Sequence, residues 1–223
     1  MSELQTLIPE VPLAKPRVLI SIPCHTHMHA QCVFNLVRLV DKCKTTGLCD
    51  FEYAILWRWQ WLEMRSKFAQ LAIEWNCDYV FVLDPDLLYA DDVLHRLMGY
   101  QKDIISPLCF KSFGVQVLPE MFKAQQKDDK IVFERLTQYP RSLIEVDAIG
   151  FRMVLIKTDV FRNLPKPWFA VGPEPGAEVV YFCQKARQAG YKIFVDTNMP
   201  VDFMYANPVL VTEETYRKGT LQF

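Results

Sequence analysis

The apolar run Tyr79-Val80-Phe81-Val82-Leu83 stops abruptly at Asp84-Pro85-Asp86. Residues two apart on an extended chain project to the same side, so both carboxylates can converge on one ligand at the carboxyl end of a strand. Such an oxygen pair suits magnesium or manganese, ions commonly held by one or two carboxylates plus substrate phosphates. The same residues also make an ordinary acidic turn, so the pair alone leaves both readings open. Glu178 follows Pro173-Glu174-Pro175-Gly176-Ala177 and opens a helical pattern, where a carboxylate suits the helix dipole. His25, His27 and His29 alternate after the first apolar run, a spacing that suits imidazole-loving metals, although nothing elsewhere in the sequence completes a ligand set. Trp57-Arg58-Trp59-Gln60-Trp61 could stack a base or a sugar, or close as a hydrophobic lid.

These residues need elements to position them, and the first half of the chain supplies a regular alternation. Arg17–Pro23 reads as a strand, His29–Cys43 as a helix with apolar residues at Val33, Leu36, Val37 and Val40, and Phe51–Leu56 as a second strand. Leu62–Trp75 reads as a second helix feeding the strand that ends at Asp84. Asp91-Asp92 opens a third helix and Ile104–Pro107 is a fourth strand. This β-α-β-α-β-α-β order predicts a mostly parallel sheet with helices on both faces. Ligands bind such sheets beyond the carboxyl ends of the strands, where Pro23 and the Asp84/Asp86 pair both lie. Further on, the polar segment 125–130 predicts a hairpin between Met121–Lys123 and Ile131–Phe133. Val146–Ile156 predicts a strand region, Val179–Ala189 a helix closed by Gly190, and Tyr191–Val195 a last strand.

The 223 residues are 51% apolar, enough for one full core. A net charge of −1 with scattered basic residues gives no electrostatic footprint for nucleic acid. No basic, apolar leader opens the chain and no run approaches the length of a membrane span, so a soluble cytoplasmic protein is expected. The seven cysteines form no CxxC pair and read as reduced core residues. With 8 glycines and neither a GxGxxG nor a GxxxxGK[ST] motif, any nucleotide phosphate must be held by side chains or a metal.

Asp84-Pro85-Asp86, Val146-Asp147-Ala148-Ile149-Gly150, Pro167-Trp168-Phe169 and Glu178 ahead of Tyr181–Ile193, in that order, resemble glycosyltransferases of the GT-A fold, especially the family 2-like group. The resemblance covers about residues 17–200. It implies that Asp84 and Asp86 hold Mn2+ or Mg2+ on the diphosphate of a nucleotide sugar, with a UDP-sugar the first expectation. It implies that Glu178 is the catalytic base of an inverting transfer, with Glu174 as the fallback. Arg65 matches a basic residue often seen one helix before DxD, facing either the diphosphate or one of the acids. Pro23 and His25 fall where members contact base and ribose, and Trp168 where an aromatic wall would meet donor or acceptor. The chain departs from the pattern in three places. Val179 follows Glu178 where members often have a second acid, Arg152 stands where a glycine is usual, and Asp202 occupies the place of a histidine metal ligand.

The expectation is therefore an α/β, single GT-A (Rossmann-like) domain over 17–205, with an extended leader at 1–16 and a C-terminal tail at 206–223. Its expected activity is metal-dependent transfer of a sugar from a nucleoside-diphosphate sugar to a hydroxyl acceptor: a glycan, lipid, protein or modified nucleic acid. The alternatives are a catalytically degenerate module binding a glycan or partner, and a metal-dependent phosphohydrolase or nucleotidyltransferase.

Overall fold

A computed structural model describes residues 14–25, 27–127, 130–171, 177–204 and 210–218. Most of the predicted leader, and Glu174, lie outside them. The first half alternates as β1 (Arg17–Cys24), α1 (Ala30–Thr46), β2 (Asp50–Trp57), α2 (Trp61–Glu74), β3 (Tyr79–Leu83), β4 (Leu87–Leu88), α3 (Val93–Gly99) and β5 (Ile104–Leu108). Hairpins and short strands follow: β6 (Phe110–Phe113), β7 (Gln116–Pro119), β8 (Met121–Lys127), β9 (Lys130–Arg135), β10 (Leu143–Val146), β11 (Ala148–Ile149) and β12 (Met153–Lys157). The chain continues through α4 (Thr158–Asn163), α5 (Ala177–Gln188), β13 (Ile193–Pro200), β14 (Asp202–Met204), β15 (Leu210–Val211) and α6 (Glu213–Lys218).

A seven-stranded sheet in the order β10-β13-β5-β12-β3-β1-β2 forms the centre of a Rossmann-like α/β domain. β1, β2, β3, β5 and β13 run one way, while β10 and β12 run against them. Val18, Leu19, Ile20 and Ile22 of β1 are almost fully buried, as expected for a strand covered on both faces. α1 ends where Gly47 takes a left-handed φ of 65° and turns its N–H back to the carbonyls of Cys43 and Lys44. All seven cysteines are buried and free. Among the described residues, no helix is long and apolar enough to cross a membrane.

Three differences from the sequence expectation bear on the site. β12 inserts between β3 and β5, pairing antiparallel with both. The Val146–Ile156 region is not one strand, because the chain turns at 150–152 and enters β12 at Met153. The segment expected as a tail includes β15 and α6, which fold back onto the domain. Val211 is fully buried, Arg141 pairs with Glu213 at 2.5 Å, and the Tyr216 ring lies 5.0 Å from Phe110.

Candidate active site

Asp84 follows the last residue of β3 and remains in the ladder, its N–H donating to the Arg152 carbonyl at 2.8 Å. Asp86 is fixed from the other side, its carbonyl accepting the Met204 N–H of β14 at 2.8 Å. Both carboxylates turn toward Arg152. Its Nη2 donates to Asp86 Oδ2 at 2.5 Å, its Nε lies 3.7 Å from Asp84 Oδ2, and its guanidinium sits 4.4 Å over the Phe203 ring.

A second buried guanidinium joins them from α2. Arg65 lies between the rings of Trp61 and Phe151, with Nε 3.5 Å from Glu178 Oε1 in the first turn of α5. The fold thus brings Asp84, Asp86, Arg65 and Glu178 into one cluster, although nearly a hundred residues separate the acids of β3 from that of α5. Glu120, between β7 and β8, completes the group and acts electrostatically on Arg65, Asp84 and Arg152. Its place is set by the backbone: its N–H donates to the Cys109 carbonyl and its carbonyl accepts the Gly150 N–H, both at 2.9 Å. Gly150 leaves room for that side chain, since a Cβ there would meet the Glu120 carboxylate at 2.5 to 2.8 Å and displace it.

The cluster is buried yet incompletely satisfied. Arg65 Nε and Nη1, Asp84 Oδ1, Asp86 Oδ1, Glu120 Oε2 and Arg152 Nε are all buried without a hydrogen-bond partner among the described residues. Unpaired buried polar atoms each cost about 1–3 kcal/mol, so such a concentration is one that a polar ligand, an ion or water would satisfy. Burial pushes the Asp84 carboxyl up to about 7; Arg152 and Arg65 pull it down and Asp86 and Glu120 push it further up. Burial also lowers the Arg65 guanidinium, against the opposing pull of Asp84, Glu178 and Glu120. For Arg152 burial is outweighed by Asp86 and Asp84, and the guanidinium is held above its ordinary value.

Four carboxylates (Asp84, Asp86, Glu120, Glu178) face three guanidiniums (Arg65, Arg152 and, through Glu120, Arg135), leaving the ionised cluster one positive charge short. The free Oδ1 atoms of Asp84 and Asp86 are the hard donors that magnesium or manganese takes. The residues therefore fit a divalent ion whose remaining ligands come from phosphate or water. No three His, Cys, Asp or Glu side chains among the described residues form a closed ligand set by themselves.

Other expected positions lie differently. Pro23 is buried at the end of β1, level with Asp84 two steps beyond the Ser21↔Val82 pair, and His25 is exposed just past it. His27 and His29 meet edge to face at 5.6 Å. Asp202 is not joined to the Asp84/Asp86 pair. It alternates with Phe203, the residue that faces Arg152, and it takes a backbone hydrogen bond from Glu213; burial raises its carboxyl to about 6. Trp168 is 4% exposed and spent on the core, its indole N–H donating to the Phe161 and Leu164 carbonyls at 2.9 and 3.1 Å. That geometry leaves no free ring face for a sugar. Glu120 was not singled out from the sequence, where an acid at the end of a short hairpin strand carries no signal. Its only trace there is indirect, in the scarce glycine at position 150.

No protein-family model matches the chain, and no curated protein does. The structure of A197 from STIV matches 93% of this chain and 94% of its own at a TM-score of 0.60 and 16% identity. The two share a fold. A UDP-glucose pyrophosphorylase from Acinetobacter baumanii aligns over 93% of this chain and 92% of its own, at a TM-score of 0.45 and 10% identity, too distant to bear on function.

Proposed function

We propose that the chain is a nucleotide-sugar glycosyltransferase that works through the Asp84/Asp86 cluster. The observation that carries this reading is the meeting of an acid pair at a strand's carboxyl end with a separate carboxylate, Glu178, around buried polar atoms that lack partners. Asp84 and Asp86 would hold Mn2+ or Mg2+ against the donor diphosphate. The ion supplies Lewis-acid stabilisation of the departing oxygen. Arg65 and Arg152 add fixed positive charge for the phosphoryl oxygens, guanidinium being well matched to that geometry.

Glu178 takes the proton of the acceptor hydroxyl as its oxygen forms a bond to the anomeric carbon. The bond from that carbon to the diphosphate oxygen breaks on the opposite face, and the diphosphate leaves with the electron pair. Inversion follows. Arg65 orients the base through its 3.5 Å contact with Glu178.

The test is a panel of UDP-, GDP- and TDP-sugars with manganese. Hydrolysis or transfer from at least one donor, abolished in Asp86→Ala, is expected. No turnover and no nucleotide-induced thermal shift across the panel would sink the reading, and pyrophosphate release from a nucleoside triphosphate with a sugar phosphate would replace it with nucleotidyl transfer.

A further inference from the structure

β2 is the last strand of the central sheet, and no described strand pairs with its outer side. Its backbone phase is fixed by two bonds to the β1 side, Asp50 N–H to the Pro16 carbonyl at 3.0 Å and Arg58 N–H to the Cys24 carbonyl at 3.3 Å. In a parallel pair each residue points its N–H and C=O the same way, alternating along the strand. Even-numbered residues therefore bond inward, while Phe51, Tyr53, Ile55 and Trp57 present their backbone groups outward. The same outward set carries exposed apolar side chains, with Tyr53 47%, Ile55 62% and Trp57 55% exposed. The Phe51 ring lies 6.0 Å from that of Tyr53. α1 adds exposed Val33, Phe34 and Val37.

Edge strands that must stay single are commonly protected by lysine, proline or a bulge. Asp50–Trp57 contains none of the first two, and its parallel register with β1 runs without a shift. Its interior charge, Glu52, is already paired with Arg17 at 2.5 Å.

We propose that β2 pairs antiparallel with β2 of a second copy, across a twofold axis at Ala54, making one continuous sheet through a dimer. The strand is self-complementary in this register. Tyr53 falls opposite Ile55 and Phe51 opposite Trp57, so every outward residue meets an outward residue and both backbone bonds of each pair close. The side chains form aromatic and β-branched cross-strand pairs, the kind that stabilises a sheet. Arg58 leaves the strand at a φ of 61° and lays its guanidinium over the Trp57 ring at 4.4 Å, so the pairing stretch ends at Trp57. Shifting the axis to Tyr53 or Ile55 keeps the hydrogen-bond phase but leaves Trp57 or Phe51 without an opposite residue in the strand, so the extent of pairing selects the Ala54 register.

Sedimentation velocity or light scattering on the full chain at micromolar concentration tests this. A dimer is expected. Ile55→Pro removes an outward N–H that β1 does not use and should weaken dimerisation about tenfold or more, with the fold retained by circular dichroism. If that variant misfolds, Ile55→Lys on the same exposed side chain must give the same weakening. Tyr53→Glu, on the residue opposite Ile55, should weaken the dimer and Tyr53→Glu/Ile55→Lys restore it. A monomeric full chain, as would follow if residues 1–13 covered the strand, overturns the proposal. So does a dimer indifferent to both Ile55 variants, or opposite charges at positions 53 and 55 that act without mutual rescue.

Discussion

Phe151 and Arg152 are neighbours in sequence, and the chain turns them into two opposite environments. Phe151 joins an aromatic knot with Phe161, Trp168, Phe169 and Phe182, whose ring centroids lie between 5.1 and 6.4 Å apart. Arg152 joins the acids at the end of β3. The knot is closed: its rings are buried, and its one polar group, the Trp168 N–H, has two carbonyl acceptors. The acid cluster is open in the chemical sense, with buried oxygens and N–H groups that no other described residue satisfies. A fold selected only for stability would fill or pair such atoms, as it has done a few residues away. The contrast separates residues that hold the domain together from residues held ready by it.

The sharpest way to test that separation is to cut each region once. Phe182→Ala removes the ring at the centre of the knot and should cost about 3–5 kcal/mol of unfolding free energy, read by urea denaturation, with the acids untouched. Asp86→Asn should do the reverse. It keeps the shape and an amide oxygen for Arg152 and removes one charge from a cluster with an excess of acids, so stability should fall by less than in Phe182→Ala, while turnover of a nucleotide sugar falls about a hundredfold or more. If Asp86→Asn unfolds the protein as Phe182→Ala does, the cluster is structural and the contrast fails.

Gly150 sits where the two regions meet and should respond in both ways. A methyl group there runs into the Glu120 carboxylate at 2.5 to 2.8 Å. Gly150→Ala should therefore destabilise by about 1–3 kcal/mol, the usual cost of overpacking, and also lower activity by displacing Glu120. Adding Glu120→Ala should recover the stability but not the activity. Recovery of both would remove Glu120 from the site.

How far this was readable beforehand differs between the halves. β1, α1, β2, α2, β3 and β5 follow from apolar periodicity because each is a local pattern closed by a local signal, such as Gly47 or the acids after Leu83. Asp84 and Asp86 are legible with them because they close β3, whereas Arg65 and Glu178 stand out only through the family resemblance. β12 was not placed, because nothing local says that Met153–Lys157 will insert between β3 and β5 rather than beside them. Arg152 was visible as a charge breaking an apolar stretch, but its partners lie 66 and 68 positions away. Trp168 shows the opposite limit. A tryptophan after proline reads equally as wall or core, and only the carbonyls of Phe161 and Leu164 decide it.

The smallest expected effect is on pH dependence, and it tests whether the cluster lacks positive charge. Asp84 has its carboxyl raised from 3.8 to about 7 by burial, so the folded protein keeps a proton there that the unfolded chain has lost. The contribution is stabilising below about pH 4 and is lost as pH rises through 7. Asp202, raised to about 6, acts in the same direction. Unfolding free energy should thus decline from pH 5 to pH 8, and Asp84→Asn, which has no proton to lose, should flatten part of that decline. Manganese at pH 8 should restore stability in the wild type and much less in Asp84→Asn, because an ion that binds only the folded site stabilises it by mass action. A wild-type stability that rises over this range, or a manganese effect of equal size in both proteins, would mean that the guanidiniums already balance the acids and that the unpartnered oxygens await something other than a cation.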